Sequence, residues 1–468
     1  MKKKLFYLVL TVLFVLSYST SALAKPASPE EIHFNSIITD GHSDTMSNVV
    51  DSSTWLPKVD IGNGTPFEVD IPKLQAGGVN VPFFAAYTSG YYNNTPRSIS
   101  RTLALINALY WTEKNNPDTF KISSSLKEIE KTVHAGKIAA VPTIEGAYSM
   151  DEENAIELLH QYRDLGVTSI GFNWNYSNAL GEGANRQYND PNRTPSEGGL
   201  TELGANVARE MNRLGMVIDV SHMAEGTFWD VIQVSDAPII ASHSGVKALK
   251  DHQRNLSDDQ LKALKENGGV INIVFYPAFL TNKPNTYIAD VVDHIDHVVK
   301  LIGIDHVGLG SDYDGATLPE DLPDVSHLPK LTEELVNRGY TKQDIEKILG
   351  KNMLRVLKEV EKAAEHDPAN VGTGLTITPT YEMGEIIQDR TPVLTAKVAA
   401  DNGAKADENS LRVIVDGIPY TPAFDHETST ISLALNEGLK ERFHVVTFEA
   451  ANNAGKVTRE TRIFYIND

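Results

Sequence analysis

The sequence carries histidines and carboxylates at a spacing that could bind metal ions. His42 and Asp44 stand two residues apart after a short apolar run, and residues two apart on a strand project to the same side. Glu145, His222 and His243 each follow another short apolar run. If one carboxylate bridges, these five side chains could hold two ions about 3.5–4 Å apart. The pattern therefore indicates a binuclear metal site.

The lack of cysteine narrows the chemistry that the chain can carry out. A sequence of 468 residues with no cysteine can form no disulfide, no thiolate zinc site and no cysteine nucleophile, so histidines and carboxylates must hold any metal. Two further histidines, His294 and His297, have a spacing that can chelate a metal on a helix. They lack the glutamate and the third ligand of a zincin motif, so the pattern indicates a solvated helix face.

The elements that must position these residues follow from the alternation of short apolar runs and amphipathic segments between residues 36 and 364. This alternation predicts a parallel sheet covered by helices. Eight runs qualify as strands and favour a closed (β/α)8 TIM-type barrel; an open doubly wound sheet would need a glycine-rich phosphate-binding turn, which is missing. The predicted strands span residues 36–40, 79–87, 138–144, 168–172, 216–220, 238–241, 269–275 and 306–310. The five candidate ligands lie at carboxyl ends of strands, where such barrels place their sites.

The pattern changes after residue 365. Helical periodicity stops, and short β-rich runs separated by turn residues predict a small immunoglobulin-like sandwich. These runs span residues 393–398, 411–415, 430–435, 443–450 and 462–466. We therefore expect a barrel domain over residues 25–366 and an all-β accessory domain over residues 367–468, which contains no cluster of histidines or acids suggesting a site.

The first residues resemble a secretory signal peptide. Three lysines, an apolar run and a small-residue end predict cleavage after Ala24, so residues 1–24 would be removed. The apolar run is too short to favour an uncleaved membrane anchor. We expect an exported protein without a stable membrane anchor, and its net charge of −20 disfavours nucleic acid as a partner.

The motifs are similar to those of the membrane (renal-type) dipeptidases and their bacterial relatives. The resemblance runs from about residue 38 to residue 364 and includes the run M-N-R-L-G-M that leads into D-V-S-H at His222. It implies a barrel of the metal-dependent hydrolase kind. It also implies that His42 and Asp44 bind one Zn²⁺, that His222 and His243 bind the other, and that Glu145 bridges the two.

The same resemblance assigns substrate contacts. It implies that Arg254 binds the substrate carboxylate and that Asp312 handles protons or holds the substrate amine. A guanidinium matches a carboxylate in shape, and a carboxylate after the last strand can face the metals. The plain structural alternatives are a surface arginine and a helix-capping aspartate. Mammalian members have a substrate-contacting histidine at the position of Trp174, whereas several bacterial relatives have tryptophan there. The resemblance therefore makes Trp174 a candidate substrate-binding residue, and plain core packing is the alternative.

The expected activity is hydrolysis of dipeptides by a water that two zinc ions activate, with Glu145 bridging the ions and Asp312 moving a proton. Two alternatives stay open. One is another metal-dependent amide or lactone hydrolase on the same barrel, because a fold and a metal pair do not select a substrate. The other is a binding protein that acts through the C-terminal sandwich. Other divalent metals, a homodimer and the partner of the sandwich are also left open.

Overall fold

A computed structural model describes residues 27–90, 96–184, 198–364, 370–401 and 403–467. The predicted leader, residues 1–24, and the predicted domain boundary at residues 366 and 367 lie outside the described residues. The part that is described contains a parallel barrel with helices around it, followed by two further β-sheets.

Nine strands form the first sheet, and all of its pairs are parallel. Eight of them follow one another in the order β1-β2-β4-β5-β6-β7-β8-β9, and β3 pairs with β4 off this path. The strands are β1 Thr39–Ser43, β2 Val81–Tyr87, β3 Phe120–Ile122, β4 Ile138–Glu145, β5 Ser169–Gly171, β6 Val217–Asp219, β7 Ile240–Ser244, β8 Val270–Ile273 and β9 Val307–Leu309. The predicted (β/α)8 barrel is confirmed.

The barrel closes between β1 and the chain that follows β9. The amide of Asp44 donates to the carbonyl of Tyr313 at 2.9 Å, and the amide of Asp312 donates to the carbonyl of His42 at 3.1 Å. The first strand begins at Thr39 rather than at the predicted residue 36. The prediction placed the strand on the apolar residues Ile37 and Ile38. The observed strand consists mainly of polar residues, and all of them are buried.

Helices cover the outside of the barrel and present apolar residues to it. Helix α7 shows how the sequence sets their ends: the side chain of Thr201 accepts a hydrogen bond from the amide of Gly204, and Gly215 ends the helix at φ 68°, a conformation that favours glycine. The helices are α1 Pro29–Phe34, α2 Thr45–Val49, α3 Ile71–Ala76, α4 Pro96–Asn115, α5 Leu126–His134, α6 Ala155–Asp164, α7 Glu202–Leu214, α8 Glu225–Val234, α9 Asp258–Asn267, α10 Pro277–Leu280, α11 Ile288–Ile302, α12 Pro329–Asn337, α13 Lys342–Glu346 and α14 Asn352–Ala363.

The C-terminal part is a sandwich of a four-stranded sheet, β10-β12-β16-β15, on a five-stranded sheet, β11-β18-β17-β13-β14. The strands are β10 Leu375–Pro379, β11 Glu385–Ile387, β12 Val393–Ala400, β13 Arg412–Val415, β14 Ile418–Tyr420, β15 Ala423–Asp425, β16 Thr430–Ala434, β17 Phe443–Ala451 and β18 Val457–Ile466. Pairing is antiparallel except between β11 and β18. One apolar core joins the two sheets, as the sequence predicted.

The five-stranded sheet also packs on the barrel. Phe443, Val445, Ile463 and Tyr465 belong to the same apolar cluster as the barrel core. Across the described ranges, we find no helix with both the length and the apolar character needed to cross a bilayer.

Candidate metal centre and substrate pocket

The five predicted metal ligands converge at the carboxyl end of the barrel. His42 lies in β1 and His243 in β7, Glu145 is the last residue of β4, and Asp44 and His222 follow β1 and β6. The Nε2 atom of His42 lies 3.7 Å from Asp44 Oδ2 and 3.5 Å from Glu145 Oε2. The Nε2 atoms of His222 and His243 lie 2.8 Å and 3.4 Å from Glu145 Oε1. One glutamate thus contacts both histidine groups through different oxygens.

These side chains form two overlapping groups that could each hold a cation. His42, Asp44 and Glu145 form the first, and Glu145, His222 and His243 form the second, with the ligand atoms of each group within 4.8 Å of one another. The atoms His42 Nε2, Asp44 Oδ1 and Glu145 Oε2 are buried and have no hydrogen-bond partner. Buried polar atoms without partners are unfavourable, whereas nitrogen and carboxylate oxygen suit divalent transition metals. The residues therefore fit a pair of cations.

The protonation states of the histidines differ across the centre. Burial and the Arg254 guanidinium lower the pKa of His222 to about 3, and burial with nearby His42 lowers the pKa of His243 well below its usual value. Both imidazoles are therefore neutral, as ligation requires. Burial alone would lower the pKa of His42, but the Glu145 carboxylate outweighs it and raises that pKa well above its usual value. His42 must release a proton before Nε2 can bind a cation.

Two hydrogen bonds orient the second pair of histidines. Asn175 Oδ1 lies 2.7 Å from His222 Nδ1, and the hydroxyl of Ser242 lies 2.8 Å from His243 Nδ1. The Ser242 hydroxyl donates to Asp219 Oδ2, so it accepts the hydrogen from His243. A proton on Nδ1 of each ring leaves the Nε2 lone pair for a cation.

Asp312 follows β9 and lies beside β1, as the sequence predicted. Its Oδ1 atom lies 3.9 Å from His42 Nε2, and His42, His243 and Asp312 form a third group of candidate ligands. Burial, together with the charges of Asp44 and Glu145, raises the pKa of the Asp312 carboxyl well above its usual value. No helix begins at Asp312 in the described chain, so the helix-cap alternative is wrong.

Arg254 is buried and not on the surface, with 2% of its area exposed. It lines a small space together with His222 and is not among the residues that line the larger cavity described below. Its guanidinium donates to the carbonyl of His243 at 3.0 Å and to the hydroxyl of Ser244 at 3.4 Å. It also lies over the ring of Phe279, 5.3 Å from the centroid. The surface alternative is therefore wrong, and the charge lies close enough to lower the pKa of two candidate ligands.

A cavity of about 490 Å³ opens onto the cluster. Aromatic side chains form one wall, with the rings of Tyr87 and Trp174 5.3 Å apart and the ring of Trp174 6.1 Å from that of His222. Tyr276 and Phe279 also line the cavity. Trp174 is only partly buried, so it faces the cavity and is not wholly core packing.

The backbone around the cluster is strained. Asn175, His222, Asp312 and Asp314 have φ between 56° and 67°, a region that is uncommon for residues with a side chain. Each such residue is unfavourable by about 1–3 kcal/mol and persists only when its surroundings hold it. Their concentration at one end of the barrel indicates that the surrounding contacts hold this geometry for function.

The interpretation of His294 as solvated is wrong. Its ring is 1% exposed; Nδ1 accepts from the amide of Val246 at 2.9 Å, and Nε2 donates to the carbonyl of Leu280 at 2.9 Å. His297 is partly exposed and bonds Asp258 at 2.8 Å. Neither is part of a candidate metal group among the described residues.

Sequence reasoning missed several residues that support the site. Asn175, Ser242 and Asp219 orient ligands, and Gly315 allows two carboxylates to approach. The only signal for Asn175 and Ser242 was their position next to a predicted strand end. Gly315 follows Asp312 within a predicted loop, where glycine is common and therefore uninformative.

Comparisons with known proteins agree with this geometry. The family model described as membrane dipeptidase (peptidase family M19) matches residues 27–371. An uncharacterized dipeptidase of Schizosaccharomyces pombe is 35% identical over 353 residues, which cover 72% of this chain and 83% of the relative. Dipeptidase aclJ of Aspergillus oryzae is 34% identical over 307 residues, which cover 64% of this chain and 71% of the relative.

A solved structure shows the same similarity. A metallopeptidase from Rhodobacter sphaeroides, liganded with a phosphinate mimic of the dipeptide L-Ala-D-Ala, matches with a TM-score of 0.60 and 30% identity. The match covers 69% of this chain and 99% of that one. Because the family model spans most of the chain and the barrel has the expected strands and ligand-type residues, the chain belongs to the membrane dipeptidase family, peptidase family M19, and is a hydrolase of the metallo-dipeptidase kind.

Proposed function

We propose that the protein hydrolyses dipeptides at a centre of two Zn²⁺ ions bridged by Glu145. The observation that carries this proposal is that Glu145 belongs to both candidate ligand groups, one with His42 and Asp44 and one with His222 and His243. A carboxylate that contacts two groups through its two oxygens is suited to hold two ions close together.

Each side chain then has a task. When bound, two divalent ions would lower the pKa of a water and polarise a substrate carbonyl. Asp312 lies next to the first ligand group and would accept the proton that the attacking water loses and pass it to the leaving amine. The rings of Tyr87 and Trp174 would exclude water from one side of the substrate.

Arg254 supports a substrate with a free carboxylate. Its planar fork matches a carboxylate better than any other side chain does, and it lies close to His222 and His243. The Rhodobacter sphaeroides relative is liganded with a phosphinate mimic of a dipeptide, L-Ala-D-Ala, which supports a dipeptide as the substrate. An amide or lactone without such a group would not use Arg254.

We further propose that the chain is exported and that residues 1–24 are cleaved. The support is the charged, apolar and small-residue order of this segment. N-terminal sequencing of protein secreted by its host would find Ala24 removed and Lys25 first.

The test combines metal analysis with a substrate screen. Purified protein should contain about two zinc ions per chain and hydrolyse L,L- or L,D-dipeptides, and a chelator should abolish the activity. Replacement Arg254→Met should raise KM for dipeptides while metal content stays unchanged. Wild-type enzyme should treat a dipeptide amide as poorly as the variant treats the free acid. Active protein without a bound transition metal would contradict the proposal.

A further inference from the structure

One buried hydroxyl holds the turn that carries Trp174. Tyr148 is fully buried, and its hydroxyl oxygen lies 2.6 Å and 2.7 Å from the carbonyl oxygens of Trp174 and Tyr176. The amides of the same two residues donate to it at 3.1 Å and 3.2 Å. A phenol has one hydrogen and two lone pairs, so it can donate to one carbonyl and accept from both amides. The ends of the turn are thus joined through one atom.

Asn175 lies between those two residues and reaches the metal centre. It is fully buried, its φ is 56°, and its Oδ1 accepts from His222 Nδ1 at 2.7 Å. His222 itself has φ 67°. Positive φ is uncommon for residues with a side chain, although asparagine and histidine adopt it more readily than most, so contacts from outside help to hold both residues in this conformation. Tyr148 is the side chain that bonds the residues on both sides of Asn175.

The hydrogen bond between Asn175 and Nδ1 of His222 determines which nitrogen of the ring can bind a metal ion. It keeps the hydrogen on Nδ1 and leaves the lone pair of Nε2 pointing toward Glu145, 2.8 Å away. Groups that orient a metal-binding histidine in this way commonly change metal affinity by about 10–100-fold when they are removed. The same turn places Trp174 against the cavity. The hydrogen bonds of Tyr148 to this turn therefore affect both the metal-binding histidine His222 and the cavity wall that Trp174 forms.

We infer that Tyr148 is a positioning residue, which acts through Asn175 on the orientation of His222 and through Trp174 on the shape of the substrate cavity. The inference rests on the proposed two-metal centre. The hydrogen bonds of Tyr148 go to the turn and not to a candidate ligand, and Tyr148 is not among the residues that line the cavity, so we expect its effect to pass through the turn. Burial raises the pKa of its hydroxyl, which stays a neutral donor at physiological pH.

Tyr148→Phe removes only the hydroxyl, and Tyr162→Phe is the matched control. Tyr162 is equally buried, and its hydroxyl donates to the hydroxyl of Ser149 at 2.9 Å and not to the backbone of Trp174 or Tyr176. Metal-free protein would be titrated with Co²⁺, and its visible absorption followed in competition with a chelator. Wild type should bind two ions. Tyr148→Phe should weaken one of them by about 10–100-fold and raise KM, whereas Tyr162→Phe should match wild type in both measurements.

A second pair of variants tests the link at Asn175, including the case in which Tyr148→Phe does not fold. Asn175→Asp keeps an oxygen acceptor and tolerates positive φ, while Asn175→Gly relieves the backbone but removes the acceptor. Asn175→Asp should retain both Co²⁺ affinities, and Asn175→Gly should lose about 10–100-fold at one.

The possible failures can be told apart. If wild type binds two ions and both Tyr148→Phe and Asn175→Gly bind them as tightly, the positioning role is overturned and the proposed function stands. If wild type binds fewer than two ions, both are overturned. A loss of thermal stability in Tyr148→Phe equal to that in Tyr162→Phe, with unchanged Co²⁺ binding and KM, would reduce Tyr148 to a core residue.

Discussion

Asp44 and Asp312 both approach the backbone at Gly315. A β-carbon on Gly315 would lie 2.1 Å from Asp44 Oδ2 and 2.8 Å from Asp312 Oδ1, closer than real β-carbons approach other atoms. The glycine is therefore required by space and not by its dihedral angle. The absence of a β-carbon at Gly315 therefore allows the carboxylates of Asp44 and Asp312 to face the same candidate metal centre.

Replacement Gly315→Ala should displace Asp44, because the new methyl group occupies the place of its carboxylate oxygen. We expect metal affinity and kcat/KM to fall at least about tenfold, in line with changes around metal ligands, with little loss of overall fold. Metal retention after dialysis and dipeptide turnover would measure it. Gly64→Ala is the matched control, since a β-carbon there meets nothing within 4 Å. Equal metal retention in both variants would contradict the expectation.

Asp312 tests the proton-transfer step at the same scale. Asparagine preserves the shape of the side chain but cannot carry a proton, so Asp312→Asn should keep both metals and lose about 10²–10⁴-fold in kcat, the usual contribution of a general acid or base. Metal analysis and steady-state kinetics would be compared with wild type. Normal turnover with full metal occupancy would exclude the role.

Hydrogen bonds between β1 and the chain after β9 set the geometry at the carboxyl end of the barrel. Asp40 in β1 accepts hydrogen bonds from the amide of Ser311 at 2.7 Å and from its hydroxyl at 2.6 Å. The Ser311 hydroxyl also lies 3.1 Å from the carbonyl of His42. These bonds join the first barrel strand to the chain after the last, and they place His42 next to Asp312. Closure of the barrel thus assembles the ligand groups.

Burial raises the pKa of the Asp40 carboxyl to about 6, above the value of about 3.9 in an unfolded chain. The protonated form is therefore favoured by folding. The contribution of the protonated Asp40 carboxyl to the free energy of unfolding is fully present below pH 4 and is lost as the pH rises through 6. A pKa difference of about two between the folded and the unfolded chain corresponds to about 3 kcal/mol in the free energy of unfolding.

The change Asp40→Asn should abolish this dependence. Metal-free wild type should lose stability relative to Asp40→Asn between pH 4 and pH 7, because the asparagine does not titrate. Urea unfolding at several pH values measures the difference in free energy. Metal must be absent, since bound cations would lower the pKa of Asp40. A difference that stays constant over this range would show that Asp40 does not titrate there.

At the scale of the whole molecule, the sandwich is attached to the barrel by apolar and polar contacts. Gln161 in α6 donates to the carbonyl of Ile414 at 3.0 Å and accepts from the amide of Gly417 at 2.8 Å. Arg459 pairs with Asp164 at 2.8 Å. Because the apolar face of β17 and β18 merges with the barrel core, the two parts share stability although each has its own core.

A chain that ends at Ala364 should still form the barrel and its metal centre. Every candidate ligand and barrel strand precedes this residue. The exposed faces of α4 and α6 should lower the melting temperature and promote aggregation. Metal content, circular dichroism and thermal unfolding would be compared with the full chain. A truncated chain that never folds, while the full chain does, would disprove independence of the barrel.

The sequence could predict the candidate ligands because short apolar runs indicate strands, and the carboxyl ends of parallel barrel strands lie at one face. These ligands are His42, Asp44, Glu145, His222 and His243. The eight strands along the barrel path follow from the same local pattern, whereas five further strands, β3, β10, β11, β14 and β15, were not predicted. Each of these inferences needs only residues that are neighbours along the chain. The polar strand β1 was placed too early because its side chains are buried by partners such as Ser311, which is 271 positions from Asp40.

Tertiary structure alone decided the contacts between distant residues. The bond between Tyr148 and the turn at Trp174 joins positions 26 apart, and His294 is buried by bonds to Val246 and Leu280, which the sequence pattern of a helix does not contain. Burial and hydrogen-bond satisfaction depend on which surfaces meet in space. Local periodicity therefore determined which residue types reach the barrel mouth, and three-dimensional packing decided how they are oriented and protonated there.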